Sequence, residues 1–254
     1  MQQLILIAQL ASRDIMNIYA SDFAVATKAD LSPVTEADAL AEKTILHELQ
    51  KYWPDVPVLA EEQTAAGLIP ILGDRFFLVD PLDGTKEFLS RNGEFTVNIA
   101  LIEKGRPVCG VVYAPAINRM YWGDLAAGAA LAIVKPLDDL TTKTWQQIKV
   151  RRAPKDGLVA VASRSHLDDA TEAFLAGHKV KKRTSAGSSL KFCLVAAGEA
   201  DIYPRFGRTM EWDTGAGQAV LEAAGGRVCR EDGVPLTYGK AERGFDNPAF
   251  IASA

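Results

Sequence analysis

The segment FFLVDPLDGT, residues 76–85, joins a short apolar run to two aspartates. The run at 76–79 is aliphatic and aromatic, and it predicts a buried strand. Pro81 breaks that strand, so the carboxylates of Asp80 and Asp83 can turn toward one point. Hard divalent cations such as Mg²⁺ prefer oxygen ligands of this kind, and Thr85 adds a hydroxyl beside them. Because Pro, Asp and Gly are also common in β-turns, this segment alone leaves a plain turn and a metal site as equal alternatives.

The composition bounds the class of protein. The chain has 254 residues, 48% hydrophobic and 24% charged, which is long enough for a large core in one domain or in two lobes. Its formal net charge of −4 argues against a nucleic-acid binder that relies on bulk basic charge. The three cysteines are isolated and predict a reduced, intracellular setting. The scattered cysteines and histidines form no zinc-binding pattern.

The sequence carries no targeting or membrane signal. No basic region precedes the N-terminal apolar stretch, and no run of about 18 apolar residues occurs. We therefore expect neither a signal peptide nor a spanning helix, and we expect a cytoplasmic location. Attachment to the cytoplasmic face of the inner membrane stays open, and the oligomeric state is not indicated. The expected partner is a small-molecule substrate, not nucleic acid.

Helix and strand signals alternate along the chain. Apolar spacing predicts a helix over residues 2–20 and a second helix that begins in 32–38 and ends near residue 52. Residues 63–74 resemble a loop, and alternating apolar residues predict an antiparallel meander over 95–122. The second half alternates strands with helices, with strands predicted at 158–162, 179–184, 200–203 and 227–230.

This order of elements predicts an α/β fold in the form of a layered α+β sandwich. We expect one unit over residues 1–254, with alternating α and β layers in two lobes. The approximate lobes are 1–150, which would carry the metal site, and 151–254, which would carry the substrate site. The active site is expected between them.

Four acidic residues occur in one kind of context, at the end of a predicted strand or the start of a predicted helix: Glu61, Asp80, Asp83 and Asp213. If they converge, their charges would repel too strongly to lie buried and empty. Two Mg²⁺ ions would balance them and could orient a water toward a phosphate ester. For Asp213, a helix N-cap is an alternative, and Asp38 could simply favour the positive end of its helix.

Other catalytic motifs are missing from the sequence. It has no GxxxxGK[ST] phosphate loop, no GxSxG nucleophile elbow and no regular EF-hand loop. Four motifs instead carry a resemblance: SPVTEAD at 32–38, AEE at 60–62, DPLDGTKEF at 80–88 and EWDTGAG at 211–217. Together they resemble the inositol monophosphatase superfamily of metal-dependent, lithium-sensitive phosphatases, over essentially the whole chain. KEF at 86–88, SRSH at 163–166 and GSSLK at 187–191 are similar to the 3′(2′),5′-bisphosphate nucleotidase branch.

The resemblance implies an inositol monophosphatase/fructose-1,6-bisphosphatase-like fold and two or three Mg²⁺ ions. The implied ligands of the first ion are Glu61, Asp80 and the carbonyl of Leu82. The second ion would be held by Asp80, Asp83 and Asp213. A third, weaker ion would join during turnover.

The resemblance also implies the roles of residues around the reacting phosphate. Thr85, paired with Asp38, would orient and help to deprotonate the attacking water. The turn formed by Asp83, Gly84 and Thr85 would offer backbone N–H groups to the phosphate. The residues expected to contact the substrate are Glu61, Leu82, Asp83, Gly84, Thr85, Ser188, Lys191, Arg205 and Asp213.

The implied substrate is 3′-phosphoadenosine 5′-phosphate, cleaved to AMP and phosphate, with 3′-phosphoadenylyl sulfate as a second substrate and sulfur assimilation as the context. One alternative is a sibling enzyme that cleaves inositol monophosphate or another sugar phosphate with the same metal core. Another alternative is a non-catalytic protein that binds divalent ions. The Asp38–Thr85 pair argues against this last alternative.

The charge of a bisphosphate supports the nucleotidase independently of the resemblance. Two phosphates carry a combined charge of roughly −3 to −4 near neutral pH, and the metal ions would neutralise only one of the two groups. Candidate cations for the other are Lys181, Lys182, Arg183, Lys191, Arg205 and Arg208. We predict Ser188, Lys191 and Arg205 at the second phosphate, whereas 181–183 could equally be a solvated basic face.

The adenine side of the site is less defined by the sequence. His166 could line the nucleotide site or lie on the surface. Residues 123–132 are smaller than the glycine and aromatic stretch of many relatives, so no adenine-contacting residues are assigned.

Overall fold

Two long helices lie side by side at the start of the chain. The computed structural model describes residues 1–22, 24–27, 33–163 and 168–254. Helix α1 spans Gln2–Tyr19 and α2 spans Glu36–Tyr52, so both predicted helices are confirmed. Each buries one stripe of apolar residues spaced three or four positions apart. The predictions for Ser32 and for Arg164, Ser165 and His166 lie outside the described residues.

The start of α2 is fixed by a capping box. The hydroxyl of Thr35 accepts a hydrogen bond from the N–H of Ala37, and the carboxylate of Asp38 accepts one from the N–H of Thr35. Reciprocal bonds of this kind satisfy N–H groups that have no partner within the helix. They also fix the direction of the Asp38 side chain.

Seven strands form the larger sheet, in the order β3-β4-β5-β6-β7-β8-β9. β3 pairs with β4 in parallel, and every later pair is antiparallel, which confirms the predicted meander. The strands are β3 (Val58–Ala60), β4 (Arg75–Asp83), β5 (Thr96–Glu103), β6 (Arg106–Ala114), β7 (Arg119–Asp124), β8 (Gly128–Ile133) and β9 (Gln146–Ile148). A separate hairpin pairs β1 (Val25–Thr27) with β2 (Pro33–Thr35).

Five strands from the second half form the smaller sheet, in the order β11-β10-β12-β14-β13. β10 pairs in parallel with β11 and β12, and β14 pairs antiparallel with β12 and β13. The strands are β10 (Leu158–Ser163), β11 (Val180–Ala186), β12 (Ile202–Arg205), β13 (Arg227–Cys229) and β14 (Phe250–Ser253). The sequence prediction ended at β13 and missed β14, which is short and follows a segment without regular structure.

Helices and sheets alternate in layers, as predicted. The other α-helices in the described ranges are α3 (Glu61–Ala65), α4 (Thr85–Leu89), α5 (Asp169–Ala176), α6 (Leu190–Ala196) and α7 (Gly215–Ala223). α1 and α2 cover one face of the larger sheet, while α6 and α7 lie between the two sheets. Leu175 of α5 packs against Ala160 and Ile202 on the far face of the smaller sheet. One apolar cluster joins both sheets to α6 and α7, and the division into lobes near residue 150 stays a prediction.

Two local predictions are wrong. Residues 63–65, which resembled a loop, belong to α3. The strand that was expected to stop at Asp80 continues to Asp83, with Asp80 opposite Asn98 and Asp83 opposite Thr96. The register shifts between the two aspartates, because Pro81 has no N–H to donate and is tolerated within a strand at such an irregularity.

None of the helices in the described ranges is both long and apolar enough to cross a membrane.

We predict that Gly123→Ala destabilises the protein by about 3 kcal/mol, since added core volume costs that order of free energy. α7 packs directly on β7, and a methyl group at Gly123 would lie 2.5 Å from Cα of Val220 and 2.6 Å from the carbonyl oxygen of Ala219. Urea unfolding measures the change. Gly73→Ala is the control, because a methyl group there meets no atom within 4 Å. Equal stability of the two variants would contradict this tight packing.

Candidate active site

The carboxylate of Asp83 is held by donors from two separate segments, β5 and the residues before α6. Its Oδ2 accepts hydrogen bonds from the N–H of Ser189 at 2.7 Å and from Nδ2 of Asn98 at 3.2 Å. The hydroxyl of Thr96 lies 3.5 Å from the same oxygen and 3.0 Å from Oδ1 of Asn98. Nδ2 of Asn98 also lies 3.1 Å from Oγ of Ser189. Thr96 and Asn98 share one face of β5 because side chains alternate along a strand. These contacts join the end of β4 to the segment that precedes α6.

The same segment holds the turn after β4. Oγ of Ser188 lies 2.8 Å from the carbonyl oxygens of both Asp83 and Glu94. Gly84 has a φ of 89°, in the region where glycine is unstrained, and a methyl group there would clash with Oγ of Ser188. Ser188 therefore braces the turn in this structure, and its predicted contact with a substrate phosphate stays a prediction.

Asp38 and Thr85 are brought together, as the sequence predicted. Oγ1 of Thr85 lies 3.5 Å from Oδ1 of Asp38, a long hydrogen bond. Oδ2 of Asp38 accepts from both the N–H and the hydroxyl of Thr35 at 2.8 Å, and the Asp38 side chain is buried. Asp38 therefore serves both of the roles considered for it. One carboxylate oxygen caps the start of α2, and the other faces the hydroxyl of Thr85.

Glu61, Asp80 and Leu82 lie at one end of the larger sheet. Ala60 pairs with Val79 in parallel, so Glu61, the first residue of α3, follows β3 next to the position of Asp80. Asp80 is buried, and its Oδ1 accepts a hydrogen bond from the N–H of Leu82 at 3.0 Å.

Asp213 is not the N-cap of α7; that position is occupied by Thr214. The chain makes a turn before the helix, in which Oδ2 of Asp213 accepts from the N–H of Met210 at 2.8 Å. The carbonyl oxygen of Asp213 accepts from Oγ of Ser189 at 2.7 Å. Ser189 thus links the two aspartates: its hydroxyl donates to the carbonyl oxygen of Asp213, and its backbone N–H donates to the carboxylate of Asp83.

The carboxylates repel one another. Burial, followed by the charges of Asp83 and Glu61, raises the pKa of Asp213 well above its ordinary value. Burial also raises the pKa of Asp83, against the opposing effect of the Lys191 ammonium. A carboxylate whose charged form is disfavoured by its neighbours gains from a nearby cation.

The donor set fits a hard divalent cation. Among the residues that the structure describes, no three His, Cys, Asp or Glu side chains form a preformed metal cluster. Asp80, Asp83 and Asp213 instead accept hydrogen bonds from protein donors. Carboxylate and carbonyl oxygens are nevertheless the ligands that Mg²⁺ prefers, and a cation would relieve the repulsion at Asp213. The assignment of individual metal ligands stays a prediction.

Lys191 and Arg205 form a buried cationic pair beside these carboxylates. Lys191 is only 5% exposed and donates to the carbonyl oxygens of Ser188 at 2.6 Å and Ala186 at 3.3 Å. Its ammonium also lies 5.3 Å from the ring centre of Tyr203. Burial, together with the smaller effect of the Arg205 charge, lowers the pKa of Lys191 to about 8, against the raising effect of the Asp83 carboxylate. The two cations are therefore within electrostatic range of each other and of Asp83.

The other candidate cations lie on the surface. Lys181 forms an ion pair with Asp156, and Arg183 pairs with Glu172, both on the exposed side of β11. Arg208 is also exposed and pairs with Asp246. These contacts favour the solvated basic face over a phosphate site for this part of the chain.

Sequence reasoning gave no role to Asn98, Ser189 or Glu42. Asn98 could have been noticed because Thr96 and Asn98 are polar residues on one face of an otherwise apolar strand. Ser189 lies within a motif that was quoted only for its resemblance. Glu42 follows Asp38 by one helical turn and is buried. Burial and the nearby charges of Glu62 and Glu61 raise the pKa of Glu42 to about 7, against the backbone hydrogen bonds that Glu42 accepts.

We predict that Lys191→Met changes how stability depends on pH. Between pH 8 and 10.5 the unfolded wild type binds more protons than the folded one, so the wild type gains stability as pH rises. Between pH 8 and 10.5, the free energy of unfolding of the wild type is expected to rise by about 3 kcal/mol relative to that of Lys191→Met. Urea unfolding of both proteins at several pH values measures it.

Lys182→Met is the control, because Lys182 is exposed on β11. Its difference from the wild type should stay constant with pH. A constant difference for Lys191→Met as well would contradict the burial of a charged lysine.

Known proteins resemble this chain along its whole length. The inositol monophosphatase family matches residues 2–249. The 3′(2′),5′-bisphosphate nucleotidase CysQ of Salmonella typhimurium is 46% identical over 252 residues, which are 98% of each chain. CysQ of Escherichia coli K12 is 46% identical over 255 residues, which are 100% of this chain and 99% of the relative.

Solved structures agree with these sequences. The crystal structure of CysQ from Bacteroides thetaiotaomicron, a bacterial member of the inositol monophosphatase family, has a TM-score of 0.83 and 40% identity, and the match covers 100% of this chain and 96% of that one. An IMPase from Thermotoga maritima has a TM-score of 0.77 and 26% identity over 97% of this chain and 89% of that one. The motifs, the layered fold and these full-length matches lead to one conclusion: the chain belongs to the inositol monophosphatase family.

Proposed function

We propose that the chain is a 3′(2′),5′-bisphosphate nucleotidase that hydrolyses the 3′-phosphate of 3′-phosphoadenosine 5′-phosphate to AMP and phosphate. The observation that carries this proposal is the buried pair Lys191 and Arg205 beside the carboxylates Asp83 and Asp213. A bisphosphate needs two neighbouring sites, one for each phosphate. The nucleotidase named in the full-length relatives supports the same activity.

The carboxylate side is the proposed site of the reacting phosphate and of Mg²⁺, as two ions or three. The residues that would hold the metal are Glu61, Asp80, the carbonyl of Leu82, Asp83 and Asp213. When bound, Mg²⁺ supplies positive charge to the phosphate and lowers the pKa of a coordinated water. The protein contributes the position of these oxygens, which is set by β3, β4 and the turn before α7.

Thr85 and Asp38 are the proposed groups that handle the attacking water. The hydroxyl of Thr85 donates to Oδ1 of Asp38, so its oxygen can accept a hydrogen bond from the water. As the bond from water to phosphorus forms and the bond to the 3′-oxygen breaks, the water proton passes through Thr85 to Asp38, and the leaving 3′-oxygen takes up a proton from solvent water to become the 3′-hydroxyl of AMP. The apo distance of 3.5 Å would shorten in the substrate complex.

Gly84 and its neighbours would orient the phosphate. The left-handed conformation of Gly84 lets the chain reverse directly after Asp83 and begin α4 at Thr85. The backbone N–H groups of this turn are the proposed phosphate donors. Ser188 braces this turn and is also a proposed ligand of the second phosphate, so it would connect the two proposed phosphate sites.

The cationic side is the proposed site of the second phosphate, bound by Lys191, Arg205 and Ser188. A buried ammonium and guanidinium attract a dianion more strongly than exposed ones, since screening by water is weaker. Hydrolysis of 3′-phosphoadenylyl sulfate, a place in sulfur assimilation, sensitivity to lithium and a cytoplasmic location belong to the same proposal.

We predict fast release of phosphate from 3′-phosphoadenosine 5′-phosphate with Mg²⁺, and none with a chelator. Release from inositol 1-phosphate should be at least about tenfold slower in kcat/KM, because the cationic pair has no second phosphate to bind. A colorimetric phosphate assay on both substrates measures this.

A preference for inositol 1-phosphate would be consistent with the proposed metal site but would contradict the proposal of a bisphosphate substrate. Release from neither substrate would favour the non-catalytic alternative. Arg205→Ala is a control for the cationic pair: it should raise KM for the bisphosphate and leave kcat/KM for inositol 1-phosphate unchanged. Lithium at millimolar concentration should inhibit the wild type.

We predict that Asp83→Asn lowers kcat by about three orders of magnitude while the fold persists, because the amide loses the charge that would hold the metal. Circular dichroism checks the fold, and the phosphate assay checks the rate. The amide can still accept a hydrogen bond from Ser189. A rate like that of the wild type would reject the proposed metal site.

A further inference from the structure

Glu42 holds the start of α3 from a buried position on α2. Its Oε2 accepts a hydrogen bond from the N–H of Glu62 at 2.8 Å, and its Oε1 accepts one from the N–H of Gln63 at 3.0 Å. The side chain is only 4% exposed. The N–H groups in the first turn of a helix have no partners within the helix, so a carboxylate placed there both satisfies and orients them.

α3 is too short to be stable without contacts from other elements. It is five residues long, its N-cap is Ala60, and no side chain within the helix caps it. Thr64 returns one hydrogen bond to the carbonyl oxygen of Ala60 at 2.7 Å. The two hydrogen bonds to Glu42 therefore tie the backbone next to Glu61 to a side chain of α2.

Glu42 lies one helical turn after Asp38. Residues four positions apart share one face of a helix, and both of these carboxylates are buried. Asp38 reaches Thr85 at the start of α4, while Glu42 reaches the start of α3. One face of α2 thus contacts both segments that flank the carboxylate site. These are the start of α4, which carries the proposed water-handling hydroxyl of Thr85, and the start of α3, which carries the proposed metal ligand Glu61.

We propose that Glu42 is a positioning residue: by holding the first turn of α3 it sets the place of the Glu61 carboxylate, and through it the affinity of the site for a divalent cation. This inference rests on the proposed function only in that Glu61 is taken as a metal ligand. Glu42 itself contacts backbone N–H groups, not substrate.

The test is the affinity of the substrate-free protein for Mn²⁺, a visible stand-in for Mg²⁺, measured by electron paramagnetic resonance of the free ion. We expect Glu42→Gln to weaken binding about tenfold, as loss of a group that orients a ligand commonly does. An amide offers only one acceptor oxygen, so one of the two N–H bonds is lost. Glu48→Gln is the matched control: it is the same substitution on α2, and Glu48 pairs with Lys51 rather than with α3.

A double-mutant cycle separates positioning from stability. In a Glu61→Gln background, Glu42→Gln should change Mn²⁺ affinity less than twofold, since the ligand through which it acts is gone. An equal loss in both backgrounds, or wild-type affinity in Glu42→Gln, would overturn the inference. If Glu42→Gln fails to fold, Glu42→Asp takes its place, because it keeps the charge with a shorter reach.

Failure of the proposed function is distinguishable from failure of this inference. A wild type that binds Mn²⁺ but does not release phosphate from the bisphosphate rejects the nucleotidase and leaves the Mn²⁺ comparison decisive. A thermal midpoint that falls in Glu42→Gln, with unchanged Mn²⁺ affinity, would assign Glu42 to stability alone and overturn positioning.

Discussion

The burial of the Asp83 carboxylate is the constraint on which the site depends. Burying a charge costs free energy unless the charge is paired and hydrogen-bonded. The donors that hydrogen-bond to Asp83 come from β5 and from the segment before α6. That requirement brings the end of β4 into contact with a segment more than a hundred residues away. The same segment reaches the carbonyl oxygen of Asp213. The junction between the two sheets and the candidate active site are therefore one structure.

Opposite charges are gathered at this junction. Burial and the charges of Asp83 and Glu61 raise the pKa of Asp213, and burial lowers the pKa of Lys191. A protein selected for stability alone would avoid such groups, because each must lose water to lie there. Their presence together in a layered family fold is the physical basis for proposing a substrate with two separated negative groups and a divalent cation.

The packing of helices sets how precisely these groups are held. α7 lies against the larger sheet where Gly123 leaves no room for a side chain, and α2 meets α3 and α4 through Glu42 and Asp38. Rigid elements position functional groups more exactly than loops do. In this chain the acidic residues lie at the ends of such elements, so the packing of the core fixes the positions of their carboxylates.

The sequence by itself determined the elements whose signals are local. The spacing of apolar residues gave α1, α2 and the meander, and the acidic motifs gave the family and the meeting of Asp38 with Thr85. Only the tertiary structure decided that β4 continues past Pro81, that Asn98 and Ser189 hold Asp83, and that Lys191 is buried while Lys181 is exposed. The reason is physical: periodicity reports which face of an element is apolar, whereas burial of a charge and the partner of a polar group depend on residues that are distant in the chain and meet only when the sheets and helices pack.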